Sequence, residues 1–422
     1  MLKKLLLLLS VLLFIPNTVL AQSLVDCSRT SVGFTPLIDM TASQFYPNST
    51  NSSKEEGGLY EGGVNVLPMS HSHMQKALAA TNEVKPRNAS GVIDEANGKI
   101  GFASLGMSNT YQEFDDYMKR ANGAGTLKSP KVILVNGAWY GQASLEWAVA
   151  PAPPNNPWDK LSDEVAAKGL DKKQVQVFWV KLTMKTPIYP RDNWPVFPQT
   201  MQDHLGVIVK KIKTDYPNTK MIYFSSRIYA GYSTATLSPE PSAYESAFAF
   251  KWIINDQIAG GGRTGVNYTN APVMLWGHLG PNATTYLWAD GERARSDGLI
   301  YKCEDFTDGV HPSGTGKTNV TNMLYNFFTQ DALAKSWFTG SIIPTTTIPP
   351  TTQTPTPTTL PSVTPTPVPG DGNGDNKVDG LDYIIWQRKY GQNLSGVGNG
   401  DYDGNGIVNI SDYVIWIGSL PR

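Results

Sequence analysis

The sequence predicts an α/β domain built on a parallel sheet, followed by a linker and a small all-α module. In the first part of the chain, short apolar runs rich in β-branched residues alternate with longer stretches in which apolar residues recur every three or four positions. The short runs are typical of strands and the longer stretches of amphipathic helices. Because the apolar runs are nearly continuous, the strands are expected to be buried on both faces, as in a parallel sheet between two layers of helices.

The predicted strands and helices alternate along the chain. A helix is expected to begin near Ser108 and to run through Met118. The carboxyl ends of parallel strands lie at one edge of the sheet, so functional side chains are expected at that edge. The predicted strands are residues 100–105, 132–135, 175–180, 221–224 and 273–276, and the other clear helices are residues 200–216, 243–258 and 316–328.

The N-terminus has the pattern of a secretory signal. Lys3 and Lys4 precede an apolar run at residues 5–14, and small or aliphatic residues end at Ala21. The run is shorter than the roughly 20 residues that span a bilayer, so a membrane anchor is the less favoured alternative. We therefore expect residues 1–21 to be cleaved and the mature protein to be secreted, without insertion into a membrane.

Charge and cysteine content limit the partners and the redox state. The chain has 35 lysine and arginine residues against 36 aspartate and glutamate residues, without a basic cluster, which gives no indication of a nucleic-acid partner. In an oxidising compartment Cys27 and Cys303 can form one disulfide, and two free buried thiols are the alternative. The sequence leaves both alternatives open.

A linker divides the mature chain into two domains. Residues 341–369 are almost entirely threonine and proline and include no charged residue. Proline favours extended polyproline II geometry, so this segment is expected to be a semi-rigid spacer. The predicted domains are therefore residues 22–340 and residues 370–422.

The C-terminal segment repeats one spacing of oxygen-bearing side chains. Asp and Asn occupy positions 1, 3, 5, 9 and 12 of two loops, each followed by a Tyr-x-x-Trp helix sequence. Such a loop suits a hard cation, so each is predicted to hold one structural Ca²⁺, with an acidic turn without metal as the alternative. Position 6 is Gly406 in the second loop and Asn376 in the first, and asparagine tolerates the left-handed conformation of a sharp turn. The predicted ligands are Asp371, Asn373, Asp375, Asp379 and Asp382 in the first loop and Asp401, Asp403, Asn405, Asn409 and Asp412 in the second.

These loops differ from those of calmodulin-like EF-hands. Both have Asp at position 12 where those proteins have Glu, and no full helix precedes the first loop. In these features residues 370–422 resemble a type I dockerin. The resemblance implies a pseudo-symmetric module that folds around calcium and docks onto a cohesin domain of a partner protein.

A serine lies where the first predicted strand turns into a helix, in the sequence Gly106-Met107-Ser108-Asn109. At the carboxyl end of a parallel strand its hydroxyl would be exposed at the edge of the sheet. Its amide would lie at a helix N-terminus, where it could stabilise an oxyanion. Helix capping is the alternative role for a serine here.

A carboxylate and an imidazole lie far along the chain, in the sequence Asp308-Gly309-Val310-His311-Pro312. A spacing of three lets the carboxylate turn back to the imidazole. Asp308 can then orient His311, while the other ring nitrogen takes a proton from a serine.

With these two blocks the domain resembles the SGNH hydrolase superfamily, and within it the branch that contains carbohydrate acetylesterases. Residues 106–109 match that branch's Gly-Gln-Ser-Asn with one change, and residues 308–312 match its Asp-x-x-His-Pro. The resemblance covers residues 99 to about 328. It implies a flavodoxin-like three-layer sandwich in which Ser108 is the nucleophile, His311 the base and Asp308 its orienting partner, with no cofactor for catalysis.

The second and third blocks are less similar to that family. Gly141, after the second strand, is the expected amide donor to the oxyanion beside Ser108, with Gly137 as the less favoured choice. After the third strand the family has an asparagine or Gln-Gly-Glu, whereas this chain has Lys181-Leu182-Thr183. No side-chain amide is available there, so one oxyanion donor is expected to be missing.

Polar and aromatic side chains also follow the fourth predicted strand. Arg227, Tyr229 and Tyr232 would border the site there. Contacts to a sugar or a carboxylate are one interpretation of these side chains, and packing is the other.

The sequence therefore predicts a secreted serine esterase that deacetylates an acylated sugar of plant-type polysaccharide and is attached to a cohesin-bearing partner. The carbohydrate substrate is inferred from proteins that carry dockerins. A non-catalytic carbohydrate-binding protein is one alternative. A dockerin-borne glycoside hydrolase is the other, although no pair of acidic residues stands at the ends of predicted strands.

Overall fold

The computed structural model describes residues 25–28, 35–40, 57–68, 70–185, 194–227, 229–276, 298, 300–340, 368–374, 376–378, 380–390 and 392–419. The predicted signal at residues 1–21 lies outside the described residues, and so do residues 341–367 of the predicted linker.

Five parallel strands form one sheet, in the order β2-β1-β3-β4-β5. This is the order of flavodoxin-like sheets, in which the order of strand addition reverses between β1 and β3 and leaves a crevice at their carboxyl ends. Each predicted strand is confirmed, and none extends more than one residue beyond its predicted end. The strands are β1 (Ile100–Gly106), β2 (Val132–Asn136), β3 (Val175–Lys181), β4 (Met221–Ser225) and β5 (Val273–Trp276).

Ten α-helices occur in the described part of the chain. The predicted helices are confirmed as α2, α5, α6 and α7, with α5 beginning four residues earlier than its periodicity indicates. None of the helices in the described part combines the length and apolarity needed to cross a bilayer. The helices are α1 (Ser72–Asn82), α2 (Ser108–Ala121), α3 (Ser144–Ala148), α4 (Pro157–Ala167), α5 (Val196–Asp215), α6 (Ser242–Ile258), α7 (Gly314–Gln330), α8 (Lys335–Thr339), α9 (Gly380–Lys389) and α10 (Ile410–Gly418).

Helices cover both faces of the sheet. Helix α2 packs against α7 on one face, and α5 packs against α6 on the other. Adjacent residues of β3 show the two layers, because successive side chains of a strand point to opposite faces. Trp179 stacks on Phe114 of α2 with ring centroids 5.7 Å apart, whereas Phe178 meets Tyr216, at the end of α5, at 5.3 Å. The predicted three-layer α/β architecture is therefore what the structure shows.

A disulfide joins the two cysteines, with the Cα atoms of Cys27 and Cys303 5.6 Å apart. The alternative of two free thiols is therefore not realised. The N-terminal segment also lies along the loop after β4, where the Asp26 amide donates to the Tyr232 carbonyl at 2.9 Å. The disulfide links this segment to a short 3-10 helix, Cys303–Asp305, which precedes Asp308 in the chain.

The C-terminal helices form a separate apolar cluster. Tyr383 of α9 meets Trp416 of α10 at 5.2 Å between ring centroids, and Trp386 of α9 meets Tyr413 of α10 at 5.1 Å. Each helix thus offers the same pair of aromatic residues to the other. This exchange gives the small module its core.

Candidate active site and metal-binding loops

Ser108 lies where the sequence predicts it, at the first position of α2, two residues beyond the end of β1. The turn depends on Gly106, because a Cβ there would collide with the Lys181 carbonyl and the Thr110 hydroxyl. Ser108 is 8% exposed. As a first-turn residue it has no intrahelical partner for its amide, as an oxyanion donor requires.

Asp308 and His311 lie in a loop before α7 and face each other. Asp308 Oδ2 is 2.7 Å from His311 Nδ1, and Asp308 Oδ1 accepts the amides of Val310 and His311 at 3.0 and 2.8 Å. Gly309 has a φ of 79°, and a Cβ there would lie 2.5 Å from the Cα of Ser233. A glycine is therefore required for the loop to pack against the segment after β4.

The other nitrogen of the His311 ring contacts the Ser108 hydroxyl, so the three residues form one hydrogen-bonded series. His311 Nε2 is 2.8 Å from Ser108 Oγ, although 203 positions separate the two residues in the sequence. Of the four histidines in the described part of the chain, His311 is the one whose ring meets a carboxylate. His73, by contrast, is a core residue between the Tyr268 hydroxyl and the Met274 carbonyl, and burial lowers its pKa to about 4.

The protonation state of this chain follows from Asp308. Burial alone would raise its pKa, but hydrogen bonds from the His311 ring and from the amides of Val310 and His311 outweigh burial and hold the pKa below its ordinary value. An ionised carboxylate only accepts hydrogen bonds, so His311 Nδ1 carries the proton. His311 Nε2 is then the acceptor for the Ser108 hydroxyl.

The two candidate glycine donors to an oxyanion differ in availability. The amide of Gly137 donates to the Val135 carbonyl at 3.2 Å, which leaves Gly141 as the candidate. Gly141 lies in the turn after β2, with a φ of 70°. Trp139 in the same turn donates its amide to the Gly106 carbonyl at 3.0 Å, so the turn lies beside the strand end that carries Ser108.

An ion pair lies where the resembled family has a side-chain amide. Lys181 is the last residue of β3, and its Nζ is 2.7 and 2.6 Å from the two carboxylate oxygens of Glu113 on α2. Lys181 is 1% and Glu113 0% exposed. Burial lowers the pKa of Lys181 and raises that of Glu113, in each case against the attraction of the partner. Lys181 at the end of β3 thus links this strand to α2, the helix that begins with Ser108, and it supplies no side-chain amide.

The loop after β4 separates its three candidate side chains. Tyr229 and Tyr232 pack edge to face, with centroids 5.1 Å apart, and both lie against Phe306. Packing is therefore the role of these tyrosines. Arg227 is also buried, but its Nε and Nη1 find no hydrogen-bond partner among the described residues.

The second acidic loop brings three carboxylates together. Asp401, Asp403 and Asp412 each place one oxygen within 4.8 Å of the other two. Asp401 and Asp412 are buried, and Asp401 Oδ1 meets no hydrogen-bond partner in the described part of the module. Buried carboxylates require a counter-charge, so these residues fit a divalent cation. The other two predicted ligands are engaged elsewhere: Asn405 Oδ1 accepts the Ile407 amide and Asn409 Oδ1 the Ser411 amide.

The first loop repeats the hydrogen bonds of the second. Asp382 Oδ1 accepts the amides of Gly372 and Asn373, as Asp412 Oδ1 accepts those of Tyr402 and Asp403. Asn376 has a φ of 62°, which confirms the left-handed conformation expected at position 6. Asp371 accepts the Asn376 amide. Two predicted ligands of this loop, Asp375 and Asp379, lie outside the described residues.

Sequence reasoning missed the buried ion pair between α2 and the end of β3. A lysine ending the otherwise apolar strand Val175–Lys181 and a glutamate five positions after Ser108 are visible signals. Their pairing is not visible, because it depends on the packing of α2 against β3. The unpartnered state of Arg227 likewise has no signal in the sequence.

The comparisons with known proteins give little support beyond this geometry. No family model matches the chain, and no curated protein matches it. Similar solved structures include a GDSL-like lipase from Parabacteroides merdae, with 11% identity, a TM-score of 0.31, and coverage of 58% of this chain and 97% of that one. The periplasmic domain of the lipopolysaccharide acetyltransferase of Salmonella ser. Paratyphi A has 12% identity and a TM-score of 0.30, covering 62% and 97%. A gut microbial diltiazem-metabolizing enzyme has 15% identity and a TM-score of 0.32, covering 54% and 46%. Likenesses of this size carry no argument about function.

Proposed function

We propose that the large domain is a serine esterase that removes acyl groups, acetyl above all, from carbohydrate. The observation that supports this most directly is the unbroken chain from Ser108 through His311 to Asp308, with contacts of 2.8 and 2.7 Å. These residues come from β1–α2 and from the loop before α7, so no local structural role requires them to meet. They meet at the carboxyl end of a parallel sheet, where α/β enzymes bind their substrates.

In the proposed mechanism, Ser108 Oγ attacks the acyl carbon while His311 Nε2 takes the hydroxyl proton. Asp308 stabilises the imidazolium that forms and keeps the ring oriented. His311 then gives the proton to the leaving sugar oxygen, and water attacks the acyl-enzyme by the reverse sequence. The products are a free carboxylic acid and the deacylated sugar.

Charge develops on the acyl oxygen in this mechanism, and the amides of Ser108 and Gly141 are its proposed donors. The family's third donor has no counterpart here, since Lys181 occupies that strand end and is paired with Glu113. Loss of one donor typically lowers turnover by about 100- to 1000-fold. A slow esterase is therefore expected.

A fluorophosphonate probe tests this proposal, because it labels only an activated serine. We expect labelling at Ser108, together with hydrolysis of p-nitrophenyl acetate that falls about 10⁴-fold in Ser108→Ala. Ser144→Ala is a matched control, since Ser144 Oγ also contacts a histidine, His204 Nδ1 at 3.1 Å, without a carboxylate hydrogen-bonded to that ring among the described residues.

The control should keep both labelling and turnover. Equal rates of hydrolysis by the wild type and Ser108→Ala would refute the proposed mechanism. Absence of labelling in a folded wild-type protein would favour a non-catalytic carbohydrate-binding protein instead.

We further propose that residues 370–422 form a dockerin-like module that binds two structural calcium ions and docks onto a cohesin domain. Asp401, Asp403 and Asp412 would hold one ion, and the ion would supply the positive charge that the buried carboxylates of Asp401 and Asp412 lack. The repeated hydrogen bonds of the two loops and the exchanged aromatic pairs of α9 and α10 support a pseudo-symmetric module. Secretion through residues 1–21 belongs to the same proposal.

Chelation tests the calcium proposal on the full chain. We expect two thermal transitions, of which EDTA lowers only the one that belongs to residues 370–422, and calcium restores it. Asp403→Asn should weaken this calcium response, whereas Asp115→Asn, an exposed carboxylate of the large domain, should not. A single transition that EDTA leaves in place would contradict the proposal.

A further inference from the structure

Among the described residues, Arg227 stands out as a buried cation with two unsatisfied hydrogen-bond donors. Its side chain is 3% exposed, and its Nε and Nη1 are fully buried with no hydrogen-bond partner. Within the described part of the chain, the carboxylates nearest to the candidate site pair with other residues, Glu113 with Lys181 and Asp308 with His311. A guanidinium removed from water is costly unless a partner replaces the lost hydrogen bonds, so two unsatisfied donors that no described residue meets are consistent with a bound ligand as the partner.

A second buried arginine shows what a structural role requires. Arg87 lies at the opposite, amino-terminal edge of the sheet, where it pairs with Lys99 just before β1. Its Nε donates to Gln176 Oε1 at 3.2 Å and its Nη1 to the Gly91 carbonyl at 2.9 Å. Arg87, whose role is structural, thus has acceptors for its guanidinium within the fold. The Nε and Nη1 of Arg227 have none among the described residues.

The sheet places Arg227 beside the candidate nucleophile. Gly106 of β1, Lys181 of β3 and Ser225 of β4 form one row across the sheet. At about 4.8 Å per strand, the main chains of Gly106 and Ser225 are roughly 10 Å apart, because only β3 lies between β1 and β4. Ser108 and Arg227 each follow two residues after this row, so both leave the same edge of the sheet at a separation that one substrate molecule can bridge.

The surroundings of Arg227 leave its charge uncompensated by hydrogen bonds. Glu240, Glu113 and Asp308 act on it electrostatically, and it stays charged at neutral pH because burial lowers its pKa only to about 10. Each carboxylate is already engaged. Glu113 binds Lys181, Asp308 binds His311, and Glu240 accepts two backbone amides.

The loop that carries Arg227 also supports the candidate catalytic loop. The Tyr232 hydroxyl donates to the Tyr301 carbonyl at 3.4 Å, and Gly309 packs on Ser233. The segment after β4 therefore contacts the loop that carries Asp308, and the Asp308 carboxylate is close enough to act electrostatically on Arg227.

We propose that Arg227 binds a carboxylate group of the ester substrate, so that the enzyme prefers esters that carry a negative charge. A planar guanidinium with two unused nitrogens matches a carboxylate, which can accept two parallel hydrogen bonds. The inference rests on the proposed esterase function. The charge can lie on the alcohol side of the ester, as in an acetylated uronic acid, or on the acyl side, as in a succinyl ester.

Two substrate pairs distinguish these sources. Acetylated methyl galacturonoside is compared with acetylated methyl galactoside, and mono-p-nitrophenyl succinate with p-nitrophenyl acetate. In Arg227→Met, kcat/KM for the charged member of one pair should fall about 10- to 100-fold, mainly through KM, while the neutral member changes little. Arg227→Lys should recover part of the preference for the charged ester, because lysine keeps the positive charge but lacks the two parallel N–H donors of the guanidinium.

Arg87→Met is the matched control for removing a buried arginine. This variant should have a lower melting temperature, because the Gln176 side chain and the Gly91 carbonyl lose their donor. It should keep the preference for charged esters. Arg227→Met should melt at or above the wild-type temperature, because it removes an unpaired buried charge. A melting temperature of Arg227→Met as low as that of Arg87→Met would indicate a structural role and overturn the proposal.

A binding measurement separates this proposal from the esterase itself. Titration calorimetry with galacturonate and succinate, against galactose as the neutral sugar, needs no turnover. Tighter binding of one anion by wild type than by Arg227→Met supports the carboxylate subsite even if no ester is hydrolysed. Equal affinities in the two proteins, or equal substrate preference in the kinetic assay, overturn it and leave the Ser108 mechanism intact.

Discussion

The buried pair of Glu113 and Lys181 allows a quantitative test of how the nucleophile helix is held. Glu113→Gln keeps the shape of the side chain and one acceptor, and removes the negative charge. Lys181 Nζ then remains 1% exposed with its positive charge uncompensated by this partner. Breaking one side of a buried ion pair typically costs about 3–5 kcal/mol, because the other charge is left without compensation.

The expected loss converts into a shift in melting temperature. A domain of roughly 300 residues unfolds with an entropy near 0.6 kcal/mol/K, so the melting temperature should fall by about 5–8 °C. Urea unfolding at pH 7 measures the free energy directly. Asp203→Asn is the matched control, since Asp203 pairs in the same two-contact manner with Arg263 but is 46% exposed. It should cost at most about 1 kcal/mol.

The double variant Glu113→Gln/Lys181→Met completes the test. Replacing both charges removes the uncompensated lysine, so the double variant should be more stable than Glu113→Gln alone. A Glu113→Gln protein as stable as wild type would refute the reasoning. So would a double variant whose loss equals the sum of the single losses.

Three further predictions concern the triad, a buried acid and the disulfide. Asp308→Asn should lower kcat for p-nitrophenyl acetate by about 10⁴-fold with little change in KM, because His311 loses the acceptor that fixes its tautomer; an unchanged kcat would contradict the assignment. Asp331 is buried with Oδ2 unpartnered, and burial raises its pKa to about 7. The folded state therefore holds a proton that the unfolded state releases above about pH 4, so this residue lowers stability as the pH rises to 7. Asp331→Asn should gain stability over wild type more at pH 8 than at pH 5 in urea unfolding, and a gain independent of pH would count against this. Replacing Cys27 and Cys303 with serine should lower the free energy of unfolding by about 5.6 kcal/mol, the chain-entropy value for positions 276 residues apart. Equal urea midpoints for this variant and oxidised wild type would oppose it.

The elements of the sheet could be predicted because their signals are local. Five apolar runs of strand length, separated by stretches of helical periodicity, determine which segments can be buried strands. The alternation also implies parallel pairing, since parallel strands need long connections. The order of the strands and the two helical layers depend on how those segments pack. The sequence indicates this packing only through its resemblance to a known family.

The candidate site divides along the same line. Asp308 and His311 are three positions apart, so their pairing is a local property of one loop, and the repeated spacing of the acidic loops is local in the same way. Ser108 reaches His311 only through the fold. The sequence shows that a side-chain amide is missing at the end of β3, but only the packing of α2 on β3 shows that an ion pair takes its place.

The sequence by itself determined the strand and helix segments, the acidic loops and the residues of the candidate triad, because each depends on residue type and short spacing. Tertiary structure alone decided that Cys27 meets Cys303 and that the Gly137 amide donates to the Val135 carbonyl of β2. It also decided that Arg227 is buried with two donors that no described residue satisfies. The reason is physical: burial and hydrogen-bond satisfaction are properties of the whole packed arrangement, and residues distant in the chain supply or withhold the partners.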